Sequence, residues 1–201
     1  IGTSDLVNDI AVQADGKIVL AGYSESNNNL KDFAIVRLNS DGSLDTTFNT
    51  TGIVQIAFGS QEDQAKSVVI QADGKIVVVG FSFTGVNKDI AVARLNNDGS
   101  LDTTFNSDGK YTVNVSTGND SGNAVAVQNT GSIYIVSTSY SSTSANPFIG
   151  VIKLTSSGNL DVTFNSTGKI TLKIGTGSDN GEAIAIQNDG KIVVAGNSSL
   201  T

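Results

Sequence analysis

The sequence predicts an all-β fold made of repeated four-stranded antiparallel blades, and three observations carry that expectation. A string opened by glutamine occurs four times, as Gln13-Ala-Asp-Gly-Lys-Ile-Val, Gln71-Ala-Asp-Gly-Lys-Ile-Val, Gln128-Asn-Thr-Gly-Ser-Ile-Tyr and Gln187-Asn-Asp-Gly-Lys-Ile-Val. The turn glycines Gly16, Gly74, Gly131 and Gly190 stand 58, 57 and 59 residues apart, and periods of a few tens of residues belong to solenoids, propellers and arrays of like modules. Between the turns run short β-branched segments, and nothing in them requires a helix.

Taken in order, the first copy opens with a hairpin from Asp5 to Ser24. The second copy displays all four strands. Ala65 to Gln71 alternates, and Lys75 to Phe81 is a nearly continuous apolar run, which predicts a strand covered on both faces. A variable loop leads to a third strand, Asp89 to Leu95; beyond a turn-rich connection and Gly109, a fourth runs from about Lys110 to Val115. Asp-Gly between two such runs predicts a tight type I′ hairpin, because both residues tolerate positive φ. The chain closes with another hairpin, Glu182 to Asn197. Hairpins and strand pairs therefore alternate as seven two-strand units, fourteen strands or about three and a half blades. As one array, the repeat units fall at approximately 1–58, 59–115, 116–174 and a partial 175–201.

Composition narrows the function classes. Of 201 residues, 38% are hydrophobic and 22 are glycine, ordinary for a folded protein. Nineteen acidic residues against twelve basic leave a net charge of −7, which repels nucleic-acid phosphates and anionic membrane surfaces. Lys and Arg recur singly, so no basic patch opposes that conclusion. No apolar run reaches the ~18 residues of a membrane-spanning helix. His, Cys, Met and Trp are absent, which removes the usual general base near neutral pH, thiol chemistry and the commonest transition-metal ligand. The expectations are no nucleic-acid partner, no membrane insertion, no cofactor and no enzymatic activity.

Some positions recur in every full copy. Leu44-Asp45, Leu101-Asp102 and Leu160-Asp161 open a Leu-Asp-x-Thr-Phe-Asn string whose aromatics are Phe48, Phe105 and Phe164, with Gly52, Gly109 and Gly168 four residues later. Arg37, Arg94 and Lys153 share one cationic position, each followed by Leu. Asp5, Asp63, Asp120 and Asp179 stand eight residues before the repeated Gln. Residues held by every copy answer the packing problem that every copy shares, so the Phe residues are expected as core plugs and the Asp residues as turn or cap acceptors. These strings resemble the delta-60 repeat family, with its pattern (I/V)A(I/V)Q-x-DGKIVVAG…(R/K)LN-x-DGSLD-x-TFN-x-x-G, over essentially the whole chain. The resemblance implies propeller-like blades in a large exported or cell-surface bacterial protein, often Gram-negative. The third copy departs from the pattern at Thr130-Gly131 and Ser157-Gly158, so a carboxylate is not obligatory in those turns.

A sheet whose central strands are apolar on both faces must be sandwiched, and radial stacking of like sheets achieves this with short, protected edges. The alternative is an open β-superhelix. The first and last hairpins are the same half of the repeat and cannot complete each other. Both chain ends fall in mid-repeat, which predicts a segment of a longer propeller or one that a second copy completes.

Two kinds of site are weighed. Asp41 and Asp45, with Asp98 and Asp102, lie in oxygen-rich turns that resemble a calcium loop, but the third copy keeps only Asp161 there; calcium is thus the alternative to the expectation of no cofactor. Variation between copies concentrates in the loop between second and third strands, where Tyr23, Asn27, Phe81, Phe83 and Tyr140 are candidates to stack on or bond a glycan or peptide. The expected function is a binding, adhesion or spacer domain with a protein or glycan partner; the alternatives are a carbohydrate-active or other enzyme using loop carboxylates, and a purely architectural element.

Overall fold

A computed structural model describes residues 1–26 and 30–200, which form fourteen β-strands. The first sheet holds β1 (Ser4–Val12), β2 (Ile18–Glu25), β3 (Lys31–Leu38) and β4 (Ile53–Ile56). The second holds β5 (Asp63–Ile70), β6 (Ile76–Phe83), β7 (Lys88–Leu95) and β8 (Lys110–Val113), and the third β9 (Asp120–Val127), β10 (Ile133–Ser139), β11 (Phe148–Leu154) and β12 (Lys169–Leu172). A last hairpin pairs β13 (Asp179–Ile186) with β14 (Ile192–Ser198). Every sheet is an antiparallel meander in chain order. The chain is all-β, a partial propeller of three full blades and one half blade. Among the described residues no helix is long and apolar enough to cross a membrane.

The apolar cores lie between the sheets. Val19, Phe33 and Ile35 of the first blade meet Ala65, Ile76 and Val78 of the second; Val77, Val79 and Ile90 on its other face meet Ile133, Ile135 and Ile152. That is why β6 is buried on both faces over seven of its eight residues. The outer faces of the array differ: Val7, Ile10 and Val12 of β1 are exposed, as is Val193 of β14.

The Asp-Gly turns differ from the expected type I′. In each, the glycine alone takes positive φ (Gly16 at 83°, Gly74 at 83°), and its N–H returns to the Gln carbonyl three residues back, at 2.9 Å in both. The Gln N–H also donates across the turn, Gln13 to the Lys17 carbonyl at 2.8 Å. This is a longer hairpin that ends in a left-handed glycine. Asp15 keeps ordinary φ because its carboxylate accepts the Lys17 N–H at 3.1 Å, a bond that a left-handed aspartate would lose.

The Phe-Asn-x-x-Gly connection carries the strain instead. Asn49 and Thr50, Asn106 and Ser107, and Asn165 and Ser166 all have φ between 48° and 69°, a conformation that costs roughly 1–2 kcal/mol per non-glycine residue. Two bonds offset it. The Asn106 amide donates to the Lys110 carbonyl at 2.7 Å, and its backbone N–H reaches the Ser157 carbonyl of the next blade at 2.8 Å. Asn49 does the same through the Asp98 carbonyl at 2.7 Å.

The first strands carry a bulge at the same place in every copy: the pairing with the second strand skips Asn8, Lys66, Asn123 and Glu182. Bulges re-aim side chains. Here the Asn8 amide donates to the Ala65 carbonyl at 2.6 Å and the Asn123 amide to the Gly181 carbonyl at 2.7 Å, each stapling its blade to the next.

Candidate functional site

The two ends of the blades have different chemistry. At the hairpin-turn end, Asp45 accepts from Arg37 Nε at 2.7 Å and lies 3.0 Å from Lys17 Nζ; Asp102 is held in the same way by Arg94 at 2.7 Å and Lys75 at 2.8 Å, and Asp161 by Lys153 at 2.8 Å. The Thr47 hydroxyl and then the two cations hold the Asp45 carboxyl below the ordinary carboxylate range. Burial pulls Asp102 upward, but Lys75 and Thr104 outweigh it and its pKa is also lowered. Arg37 reaches on to the Asn97 carbonyl and Arg94 to the Ser156 carbonyl of the next blade. A depression of about 780 Å³ at this end is lined by Gln71, Asp73, Lys75, Arg94, Gln128 and Gly131, among others. Most of these lie in turns that recur in every copy, and Arg94 and Lys75 are already consumed by Asp102.

The structure does not gather the calcium candidates. The Asp41 carboxylate accepts the Ser43 N–H at 2.9 Å and hydroxyl at 2.6 Å, and Asp98 treats Ser100 identically, while Asp45 and Asp102 face cations. Among the described residues no three acidic side chains converge as a metal site.

At the opposite end stand the recurring Asp residues. Asp63 accepts the Phe58 N–H at 2.7 Å, Asp120 those of Val115 at 2.8 Å and Ser116 at 3.2 Å, and Asp179 those of Ile174 at 3.0 Å and Gly175 at 3.1 Å. Each ties down the turn that delivers the chain into the next blade. Asp5 accepts the Gly2 N–H at 2.9 Å. Burial raises the pKa of Asp63 and Asp120. One oxygen of each, Oδ1, is buried without a geometric hydrogen bond, although the Ser82 and Ser139 hydroxyls lie near enough to favour the charged forms. Asp32 beside Asp63 and Asp89 beside Asp120 are half-buried; burial, then the neighbouring carboxylate, raises their pKa.

Between the second and third blades this end opens into a cleft of about 400 Å³. Lys66 from the β5 bulge, Phe81 from β6 and Lys88 from β7 form one wall; Asn119, Asp120, Ser121, Thr138 and Tyr140 form the other. Lys88 Nζ sits 3.8 Å from the Phe81 ring centre, so that ring is covered by an ammonium. The Tyr140 ring is 37% exposed and available. Neither the Lys66 nor the Lys88 ammonium has an ion pair or hydrogen bond among the described residues. Lys66 is half-buried, and burial, followed by the charge of Lys88, lowers its pKa.

The family described as "Domain of unknown function (DUF5122) beta-propeller" matches residues 13–48, 71–105, 128–164 and 187–200, more than half of the chain. The chain belongs to the DUF5122 β-propeller family. No curated protein matches it. Solved structures similar to this DUF5122 chain include a thermostable family-43 glycoside hydrolase, at 10% identity and a TM-score of 0.51, covering 94% of this chain and 64% of that one. Another is an endo-arabinase from Bacteroides thetaiotaomicron VPI-5482, at 13% identity and a TM-score of 0.49, covering 96% and 70%. The first of these has a similar fold, and it corrects the expectation of no enzymatic activity: a glycoside hydrolase is built on a scaffold of this kind, so the fold gives no ground for setting catalysis aside.

Of the variable-loop residues singled out in this DUF5122 chain, the cleft unites Phe81 and Tyr140. Tyr23 is in the first blade beneath Lys31, whose Nζ is 4.9 Å from its ring centre. Phe83 is half-buried outside the cleft lining, and Asn27 lies outside the described residues. Phe48 and Phe105 are fully buried; Phe164 packs edge-on against Tyr134 at 6.0 Å and is half-buried. Lys66, Lys88 and Asp89 were missed. Their signal is a mismatch between copies: Lys66 stands where Asn8 and Asn123 stand, and Lys88 where the third copy has Pro147.

Proposed function

We propose that the chain is a carbohydrate-active part of a β-propeller, with a sugar held in the cleft between the second and third blades and Asp120 and Asp89 as the carboxyls that act on it. The observation that carries this reading is the convergence, in one cleft, of the exposed Tyr140, small polar groups and the Asp120 carboxyl, with Asp89 beside it outside the cleft lining. Tyr140 offers an aromatic face to the C–H face of a sugar, and Ser121, Thr138 and Asn119 offer hydroxyl and amide partners to its rim. Burial and then the charge of Asp120 raise the pKa of Asp89, and burial raises that of Asp120; neighbouring carboxyls divide into one that keeps its proton and one that ionises. Acid-assisted glycosidic cleavage needs that division: the protonated group gives a proton to the leaving oxygen, and the ionised one activates water or stabilises the oxocarbenium-like centre. Asp120, which lines the cleft and whose shift is dominated by burial, is assigned the proton, and Asp89 the ionised role. Asp32 and Asp63 repeat the pair at the first gap, but Phe148 replaces the partner at the third. The glycoside hydrolase of similar fold supports the reading at the level of scaffold. An extracellular or cell-surface location follows from the same reading, since structural glycans are met there.

The test is reducing-sugar release from a panel of plant and bacterial polysaccharides. Turnover that falls at least about 100-fold in Asp89→Asn, with the fold intact by circular dichroism, supports the assignment. Turnover unchanged in Asp89→Asn, or no release from any member of the panel, sinks it. Asp89 is the informative position, because Asp120 also holds two backbone N–H groups.

A further inference from the structure

Two differences between successive blade junctions change the charge of the cleft. At the first junction Lys31 faces Glu62 at 3.7 Å, and the bulge residue, Asn8, is neutral and stapled to the Ala65 carbonyl. At the second, Lys88 takes the place of Lys31, but the position of Glu62 is held by Asn119, whose Oδ1 accepts the Lys88 backbone N–H at 2.9 Å and leaves the ammonium unneutralised. The bulge residue there is Lys66. One acid is lost and one cation gained in the same place, within a chain whose net charge is −7. The third junction has neither lysine: Asn123 restores the staple and Pro147 replaces the cation.

From this we infer that the cleft takes a glycan bearing carboxylates, with a uronate group held between Lys66 and Lys88 while the sugar ring rests on Tyr140. The inference rests on the carbohydrate reading above and names its substrate class. Two half-buried ammonium groups close enough to repel one another are unfavourable alone, and an anion between them removes that repulsion through charge-assisted hydrogen bonds. The opposing charges are accounted for. Glu62, whose charge also reaches Lys66, is engaged by Lys31 and by the Gln64 amide; Asp120 is buried against backbone N–H groups, and Asp89 lies beside it outside the cleft lining. The remaining negative charge of the chain is screened beyond about 8 Å at physiological ionic strength. Phe81 beneath Lys88 holds that ammonium over its ring face, which fixes where the anion must come.

The probe is a galacturonate oligosaccharide set against its fully methyl-esterified form, which keeps the sugar and removes the charge. Calorimetric titration of the wild-type chain is expected to give at least about tenfold tighter binding of the acid form at low salt, with the preference shrinking as salt is added. The double variant K66N/N119E rebuilds the first junction at the second; because Asn8, Asn123 and Glu62 already occupy these positions, it should fold, and its melting temperature verifies that. It is expected to lose the preference for the acid form, read as the ratio of acid to ester affinity, so that the contribution of the Asn119 amide to the sugar, common to both forms, cancels. Equal binding of acid and ester by the wild type, or an undiminished preference in the double variant, overturns the inference while leaving the carbohydrate reading intact. Acid-selective binding without turnover keeps the inference and removes the catalytic assignment. Absence of binding by either form overturns both.

Discussion

The ring of Phe48 in the first blade closes over Gly99 in the second, so near that a β-carbon on Gly99 would stand 2.9 Å from its Cδ2. The relationship repeats one blade on, where a β-carbon on Gly158 would meet Phe105 at 2.6 Å. Each plug of the repeat therefore fills a socket in its neighbour rather than in its own sheet. Gly99→Ala meets two penalties, because the site also has a φ of +90°. A loss of roughly 2–4 kcal/mol is expected in urea unfolding. A loss below ~1 kcal/mol would mean that the junction gives way easily. Gly42, with a φ of +84° and nothing near its absent β-carbon, is the control: Ala there should show the backbone penalty alone, about 1 kcal/mol.

Arg94 and Lys75 hold the same carboxylate of Asp102 but are not equivalent. Arg94 is buried and also bonds the next blade, whereas the Lys75 side chain is 27% exposed. Arg94→Met is expected to cost about 3 kcal/mol or more, since it strands a buried carboxylate and a carbonyl. Lys75→Met should cost under ~1 kcal/mol. Similar losses in chemical denaturation of the two variants would contradict this ranking.

Two sets of aspartates make stability depend on pH with opposite sign. Asp45 and Asp102 have lowered pKa values and Asp161 one of about 2; their contribution is complete above the unfolded carboxylate value near 4 and is lost as pH falls through the folded values. Asp32, Asp63, Asp89 and Asp120 have raised values, so they reduce stability above their folded pKa and cease to do so on acidification. The melting temperature should hold or rise slightly from pH 7 to about pH 5 and fall below about pH 4. Asp102→Asn should lower it at pH 7 and flatten the acid fall. A steady decline from neutral pH downward would assign the pH response to other groups.

Phe81 and Tyr140 line the same cleft but should respond differently to removal. Phe81 is 3% exposed and sits under Lys88, so Phe81→Ala is expected to lose about 3 kcal/mol of stability. Tyr140→Ala should leave stability within ~1 kcal/mol and weaken oligosaccharide binding at least about tenfold. Thermal unfolding and titration of both variants separate the two roles; unchanged affinity in Tyr140→Ala would remove the ring from the binding face.

The amino-acid sequence alone determined the strand count, the meander within each blade, the two-faced burial of Ile76 to Val79 and the structural role of glycine in the turns. These are local properties: a β-branched run, a turn glycine and a fixed period act over a few residues. Tertiary structure decided the rest. The turn end is neutralised because Arg37, Lys17 and Asp45 fold onto one another, which no spacing of acids reveals. The cleft exists only where Lys66 and Lys88 of one blade face Asn119 and Tyr140 of the next, residues brought together by sheet stacking. The letters that set it apart, Asn119 against Glu62 and Lys66 against Asn8, are in the sequence, but they become a change of charge only when register lays one junction over another. Local propensity makes the blades; the fields between blades arise from side chains that meet only after the blades have stacked.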